Sequence, residues 1–336
     1  MRVVALGELL LRLKSPGAER LLQSGTLEAL FGGSEFNVLA SLTRFGHDTD
    51  YVTVLPEAGL GPAALAAVRA QGVGTRFVRR ASGRLGLYFL ESGSGARAPR
   101  VLYDRAASAF AQTAPDAFDW PAILVGADLL HLSGITPAVS ASAAALAVAA
   151  AASAHAAGVS VSLDVNMRAQ LWGQSGRDPA AALAPLLRTA RYLFATPQDA
   201  PACLPAMQHA AATTPQGFTA ALFATYPALE LVVTGGKLGA SASNFELLLQ
   251  VTRRGTAALE LPPRPLHDPA ERIGAGDALV AGCLHGLLRG WPDERWSAFA
   301  LAAQALKHTI PGDVNLATPD EIEMLVGGAS VLRIQR

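Results

Sequence analysis

Two rhythms of apolar residues alternate along the chain. Short, nearly continuous apolar runs at 3–6, 50–55, 127–132, 159–165, 192–195 and 231–234 predict buried strands. Longer stretches at 61–71, 141–157, 181–189, 275–288 and 296–308 predict helices. The 141–157 stretch is almost pure Ala and ends at Gly158, so it reads as a buried helix. Alanine is a good helix former but a poor membrane anchor, and a span needs about 20 strongly apolar residues. Apolar strands separated by helices predict a parallel sheet covered on both faces.

One region breaks this rhythm. Residues 84–91 (RLGLYFLE) and 100–104 (RVLYD) read as strands with no helix between them, joined by an exposed turn over 92–99. Residues 9–30 can supply partner strands. The expected organisation is a single α/β domain over 1–336, three-layered α/β/α, with a small β-sheet lid formed by parts of about 9–33 and 84–106. Leu85, Leu87 and Phe89 alternate with other residues, so one lid face is expected to be buried, by the lid of a second copy in a homodimer.

Composition narrows the function classes. With 336 residues, 51% apolar and 16% charged, the chain is no disordered segment and needs no disulfide staple. Lys+Arg and Asp+Glu both number 27, so no net field draws nucleic acid or an anionic membrane. Cys203 and Cys283 stand alone, outside any metal-binding spacing, and fit a reducing cytoplasm. Met1–Glu8 does not read as a signal peptide, because Glu8 interrupts the apolar run.

The sharpest motif is Gly274-Ala275-Gly276-Asp277, opening an apolar helix after a Pro-rich loop over 261–269. Two glycines and a helix N-terminus present successive N–H groups, an anion hole suited to a phosphoryl group. Asp277 suits either ordinary N-terminal stabilisation or a general base that takes a proton from an attacking hydroxyl. The second motif is Gly32-Gly33-Ser34-Glu35-Phe36-Asn37. Its glycines admit a close ligand and Asn37 suits vicinal hydroxyls; a tight turn with a helix cap is the other reading. Neither a G-x-x-x-x-G-K-[ST] loop nor an early G-x-G-x-x-G turn is present, which argues against a P-loop enzyme and a dinucleotide-dependent oxidoreductase.

The order and separation of these two motifs resemble the ribokinase-like carbohydrate kinase family, over essentially the whole chain. Within it the chain is most similar to the 2-keto-3-deoxygluconate kinases, through Gly7-Glu8 with Leu11-Arg12, 84–89, Tyr103-Asp104-Arg105, 164–168 with Leu171-Trp172, and 306–313. The resemblance implies ATP- and Mg²⁺-dependent phosphorylation of a sugar acid. It implies Asp277 as base, with Gly274, Ala275 and Gly276 stabilising the transferring group. Gly33 and Asn37 would hold hydroxyls, Tyr88 would pack over the substrate, and Tyr103, Arg105 and Arg168 would bind its polar end. Thr234, Gly236 and Gly239 would meet the nucleotide phosphates, and the helix over 300–308, with Ala302, Ala303 and Ala305, would line the adenine pocket. No residue is assigned as a direct metal ligand.

Elementary chemistry supports the arginines, because guanidinium forks bind carboxylates and a neutral sugar needs no such pair. Asp164 and Asn166 suit either the Mg-phosphate end or holding Arg168 in place, with the supporting role the expected one. Three departures from the family pattern stand out. Glu271 replaces an Asp; Thr196-Pro197-Gln198-Asp199 replaces the Asn-x-x-Glu element that organises Mg²⁺; and Gly235-Gly236 replaces a commoner Leu-Gly. The alternatives are a kinase of a neutral sugar or nucleoside and a non-catalytic sugar-binding protein of the same fold.

Overall fold

A computed structural model describes residues 1–94, 97–209, 211–239, 241 and 243–328. Ten strands among them form one large sheet. Its parallel part runs in the order Leu231–Leu238, Tyr192–Phe194, Ser160–Asp164, Leu129–Ser133, Arg2–Leu6, Asp48–Pro56 and Val78–Ala81. Alternation along each strand feeds two cores. Val4, Leu6, Leu130 and Leu132 face the Ala-rich helix Ala141–Ala156, while Val3, Ala5 and Leu129 face the helices Ser34–Arg44, Ala275–Leu288 and Asp293–Lys307. The expected layered α/β fold is therefore present, and Gly158 ends the Ala helix with φ +69°.

The other edge of the sheet departs from expectation. The strand predicted at 231–234 continues through Gly235, Gly236 and Lys237 to Leu238. There it pairs antiparallel with Asn244–Arg253, which in turn pairs with Leu259–Glu260 and Arg264–His267. The stretch read as a Pro-rich loop thus carries a strand at its centre. Glycines are tolerated here because a cross-strand neighbour fills their space: a Cβ on Gly236 would lie 3.5 Å from Leu248.

A second sheet of four strands has the order Glu28–Gly32, Leu10–Lys14, Gly86–Glu91, Arg100–Asp104. Its outer pairs are antiparallel and its central pair is parallel. Register puts Arg12 opposite Tyr88 and Tyr88 opposite Tyr103 on one face, and Leu13, Phe89 and Leu102 on the other. The polar face looks toward the carboxyl ends of the parallel strands. Residues 95 and 96 of the expected turn lie outside the described residues.

Candidate active site

Where the small sheet overhangs the carboxyl edge of the large one, a hollow of about 550 Å³ opens. Next to it lies a cleft of about 420 Å³, and the two share Asp164, Asn166, Met167, Arg168 and Gly276 as a common wall. Outside strand ends of this kind, parallel sheets bind their ligands.

Helix Ala275–Leu288 starts at this junction. Gly274 is its N-cap with φ +80° and ψ −6°, the left-handed region that favours glycine. A Cβ there would also come within 1.8 Å of the Asp313 carbonyl. The helix's first N–H groups have no partner within the helix and lie at the wall between hollow and cleft. Asp277, in the first turn, is only 7% exposed. Asn37 Nδ2 donates to its Oδ2 at 2.7 Å, and Ser34 Oγ to its Oδ1 at 2.8 Å. Asn166 Nδ2 in turn donates to Ser34 Oγ at 2.9 Å. Burial pushes the Asp277 carboxyl above the usual carboxylate range, opposed by these hydrogen bonds and by the charges of Arg168 and Lys307. Burial, together with the Asp277 charge, raises Asp164 to about 8.

The hollow brings together Gly33, Asn37, Tyr88, Tyr103, Arg105, Arg168, Gly274, Gly276 and Asp277 from the sequence-predicted set. Their partners alter several roles. Asn37 holds the Asp277 carboxylate rather than presenting a free amide. The Tyr88 hydroxyl donates to Asp313. Arg105 is buried and gives Nε and Nη2 to Glu8 Oε2 at 2.7 and 2.6 Å, so one edge of its fork is already paired. Arg168 is exposed; its one hydrogen bond here is a long one to the Met167 carbonyl at 3.5 Å. Asp164 and Asn166, expected to hold Arg168, bond elsewhere: the Asn166 backbone N–H donates to Asp164 Oδ1 at 3.1 Å, and Asn166 Nδ2 donates to Ser34 Oγ. Ala275 is buried, leaving only its backbone for the anion hole.

In the cleft, Gly236 lines the wall with Val233, Gly235 and Lys237. Thr234 and Gly239, expected to meet the phosphates, are not among the described residues that line it. Gly239 lies at the hairpin end, where a Cβ would strike Phe245 at 2.6 Å. Ala302, Ala303 and Ala305 are also buried in the core, and the residue of their helix that reaches the cleft is Gln304. Asp199 lines the cleft, but its Oδ2 accepts the Thr196 N–H at 2.8 Å and hydroxyl at 3.0 Å in a capping box.

Sequence reasoning named the segments holding Ser34, Glu8, Asp313 and Lys307 but gave these residues no role. Ser34 had a local signal, since it lies one helical turn before Asn37 on the same face. Lys307 is 0% exposed, and its Nζ donates to the carbonyls of Ile310 and Gly312 at 2.9 and 2.8 Å.

Comparison with known proteins identifies the family. The model of the "pfkB family carbohydrate kinase" family matches residues 1–319. The chain is 32% identical over 329 residues to a 2-dehydro-3-deoxygalactonokinase of Haloferax volcanii, covering 97% of this chain and 96% of that one. Among solved structures it is similar to a 2-dehydro-3-deoxygluconokinase from Thermotoga maritima, at 33% identity and TM-score 0.88, covering 98% and 100% of the two chains. A PfkB family carbohydrate kinase from Listeria grayi matches at 34% identity and TM-score 0.89, covering 97% and 100%. The chain belongs to the pfkB family of carbohydrate kinases.

Proposed function

We propose that this sugar kinase transfers the terminal phosphoryl group of ATP to the terminal hydroxyl of 2-keto-3-deoxygluconate or its galactonate epimer, forming the 6-phosphate. The observation that carries the reading is Asp277: a buried carboxylate, held on both oxygens, at a helix N-terminus between two hollows. The sugar acid occupies the hollow under the small sheet, and the nucleotide occupies the cleft along Gly235 and Gly236. Asp277 takes the proton of the attacking hydroxyl as its oxygen bonds phosphorus and the bridge to ADP breaks. The N–H groups at 274–276 receive the charge that spreads over the phosphoryl oxygens.

The residues at the junction fit a magnesium nucleotide. Asp164, Asp277 and Asp199 gather there within the field of Arg168. Mg²⁺ binds through one or two carboxylates, phosphates and water, and it would neutralise phosphate charge. Asp164 is the candidate contact, because the Asp199 carboxylate is held by Thr196.

Arg168 is the stronger reader of the substrate carboxylate, since Arg105 already shares its charge with Glu8. ADP release with Mg-ATP should therefore appear with the two keto-deoxy acids and not with gluconate, ribose, fructose or adenosine. Arg168→Met should raise the acid's KM by about 10-fold or more, the worth of a charge-assisted hydrogen bond. An unchanged KM would remove Arg168 from substrate binding, and turnover of a neutral sugar would remove the carboxylate argument altogether.

The outer face of the small sheet is apolar, with Leu13, Leu87, Phe89 and Leu102 half-buried. A second copy covering this face is the arrangement we propose, since a thin sheet buries little on its own. Light scattering at micromolar concentration should give the mass of two 34.8-kDa chains; a single-chain mass contradicts it. No described helix is long and apolar enough to cross a membrane. Both cysteines are buried free thiols, which fits the reducing cytoplasm expected from the sequence.

A further inference from the structure

A buried arginine links the small sheet to both sides of the anion hole, beside lesser ties from Lys14 to Glu271 at 3.6 Å and from Tyr88 to Asp313. Arg12, on strand Leu10–Lys14, is 1% exposed. Its Nη1 donates to Glu271 Oε2 at 3.0 Å and to Asp313 Oδ1 at 2.6 Å. The residues carrying these two carboxylates flank the Gly274 turn on opposite sides. On one flank, Glu271 Oε1 accepts the N–H groups of Arg272 and Ile273 at 2.9 and 3.3 Å, shaping the chain just before Gly274. On the other, the Asp313 backbone carbonyl sits where a Cβ on Gly274 would strike it, and Lys307 holds the segment leading to Asp313 through the carbonyls of Ile310 and Gly312. Asp313 also accepts the Tyr88 hydroxyl, a second tie from the small sheet. The longer Glu271, where the family pattern often has Asp, reaches both the turn's N–H groups and Arg12.

The geometry points to Arg12 as a positioning residue that makes seating of the small sheet and shaping of the anion hole a single event. This inference rests on the kinase reading above and extends it. Arg12 lies behind the hole, outside the residues lining either hollow. It therefore acts on the phosphoryl-transfer step through Glu271 and Asp313, not by touching sugar or nucleotide. A burial this deep needs its pairing: without Arg12, the ion pair left to Glu271 among the described residues is with Lys14 at 3.6 Å, and Asp313 keeps the Tyr88 hydroxyl.

Two readouts test it in the full-length protein, comparing Arg12→Met, Arg12→Lys and Asp313→Asn with wild type. The first is amide hydrogen exchange of peptides spanning 271–277 and 310–315, which requires no sugar or nucleotide. Arg12→Met should lose protection in both segments, and Arg12→Lys should recover part of it. The second is steady-state kinetics. Arg12→Met should lower kcat by about 10- to 100-fold, the scale of a small misplacement of reacting groups, with both KM values within about threefold of wild type. Asp313→Asn, which keeps the shape of the side chain, should lower kcat in the same direction.

Unchanged exchange at 271–277 in folded Arg12→Met overturns the proposal. So does a raised KM with unchanged kcat, which makes Arg12 a binding group, or a lower melting temperature with full kcat, which makes it purely structural. If wild type phosphorylates no sugar acid, the substrate reading fails while the exchange experiment still decides the role of Arg12.

Discussion

Asp277→Asn is expected to cut kcat by about 10²- to 10⁴-fold, the usual contribution of a positioned general base. ATP affinity measured by calorimetry should stay within a few-fold of wild type, because the substitution keeps the side chain's shape while removing its charge and proton acceptor. The pH profile of the wild type carries the same claim. The base works deprotonated, and burial holds its pKa above the ordinary carboxylate range. Activity should therefore be present above that raised pKa and fall away as pH drops through it, at a higher pH than an exposed aspartate would give. Removing the hydrogen bond from Ser34, which favours the charged form, should move that acid limb further upward. Full turnover by Asp277→Asn, or an acid limb at the ordinary carboxylate position, would take Asp277 out of the base role.

The second large effect is expected at Gly274→Ala. The left-handed backbone alone costs an L side chain about 1–2 kcal/mol. The added Cβ would also sit 1.8 Å from the Asp313 carbonyl, so the turn must move. Displacing these N–H groups should lower kcat by about 10²- to 10³-fold, the loss seen when one donor of an anion hole is removed. Far-UV circular dichroism should remain that of a folded α/β protein. Gly276 is the internal comparison, since a Cβ there meets nothing within 4 Å and the backbone needs no positive φ. Gly274→Ala with wild-type kcat would show that the turn does not need its present shape.

The parallel strands and the two glycine motifs were readable in the sequence because their signals are local. A strand buried on both faces is a continuous apolar run, and an anion hole at a helix N-terminus is a short glycine pattern followed by that helix. The antiparallel edge at Asn244–Arg253 was not readable in the same way. Gly235 and Gly236 look like a loop, and only the leucines across the hairpin make an extended conformation worthwhile there. The site divides along similar lines. Asp277, Gly274 and Asn37 announced themselves, whereas the partner that changes the role of Arg105 is Glu8, 97 residues away. Arg12 finds Glu271 and Asp313 across 259 and 301 residues. Pairings of that reach belong to the tertiary fold, and no periodicity along the chain encodes them. Asn37 is an intermediate case: its motif identified it, but its bond to Asp277 required the structure.

The central claim is that a buried aspartate at this helix N-terminus takes the hydroxyl proton of a keto-deoxy sugar acid as ATP phosphorylates it. Its most direct test is a competition. Wild-type protein receives limiting Mg-ATP and an equimolar mixture of 2-keto-3-deoxygluconate, its galactonate epimer, gluconate, ribose and fructose, and mass spectrometry reads which sugars gain a phosphoryl group. The account predicts phosphate on the keto-deoxy acids alone, and none on any sugar with Asp277→Asn. Phosphate on ribose or fructose, or an unmodified mixture beside intact ATP, would contradict it.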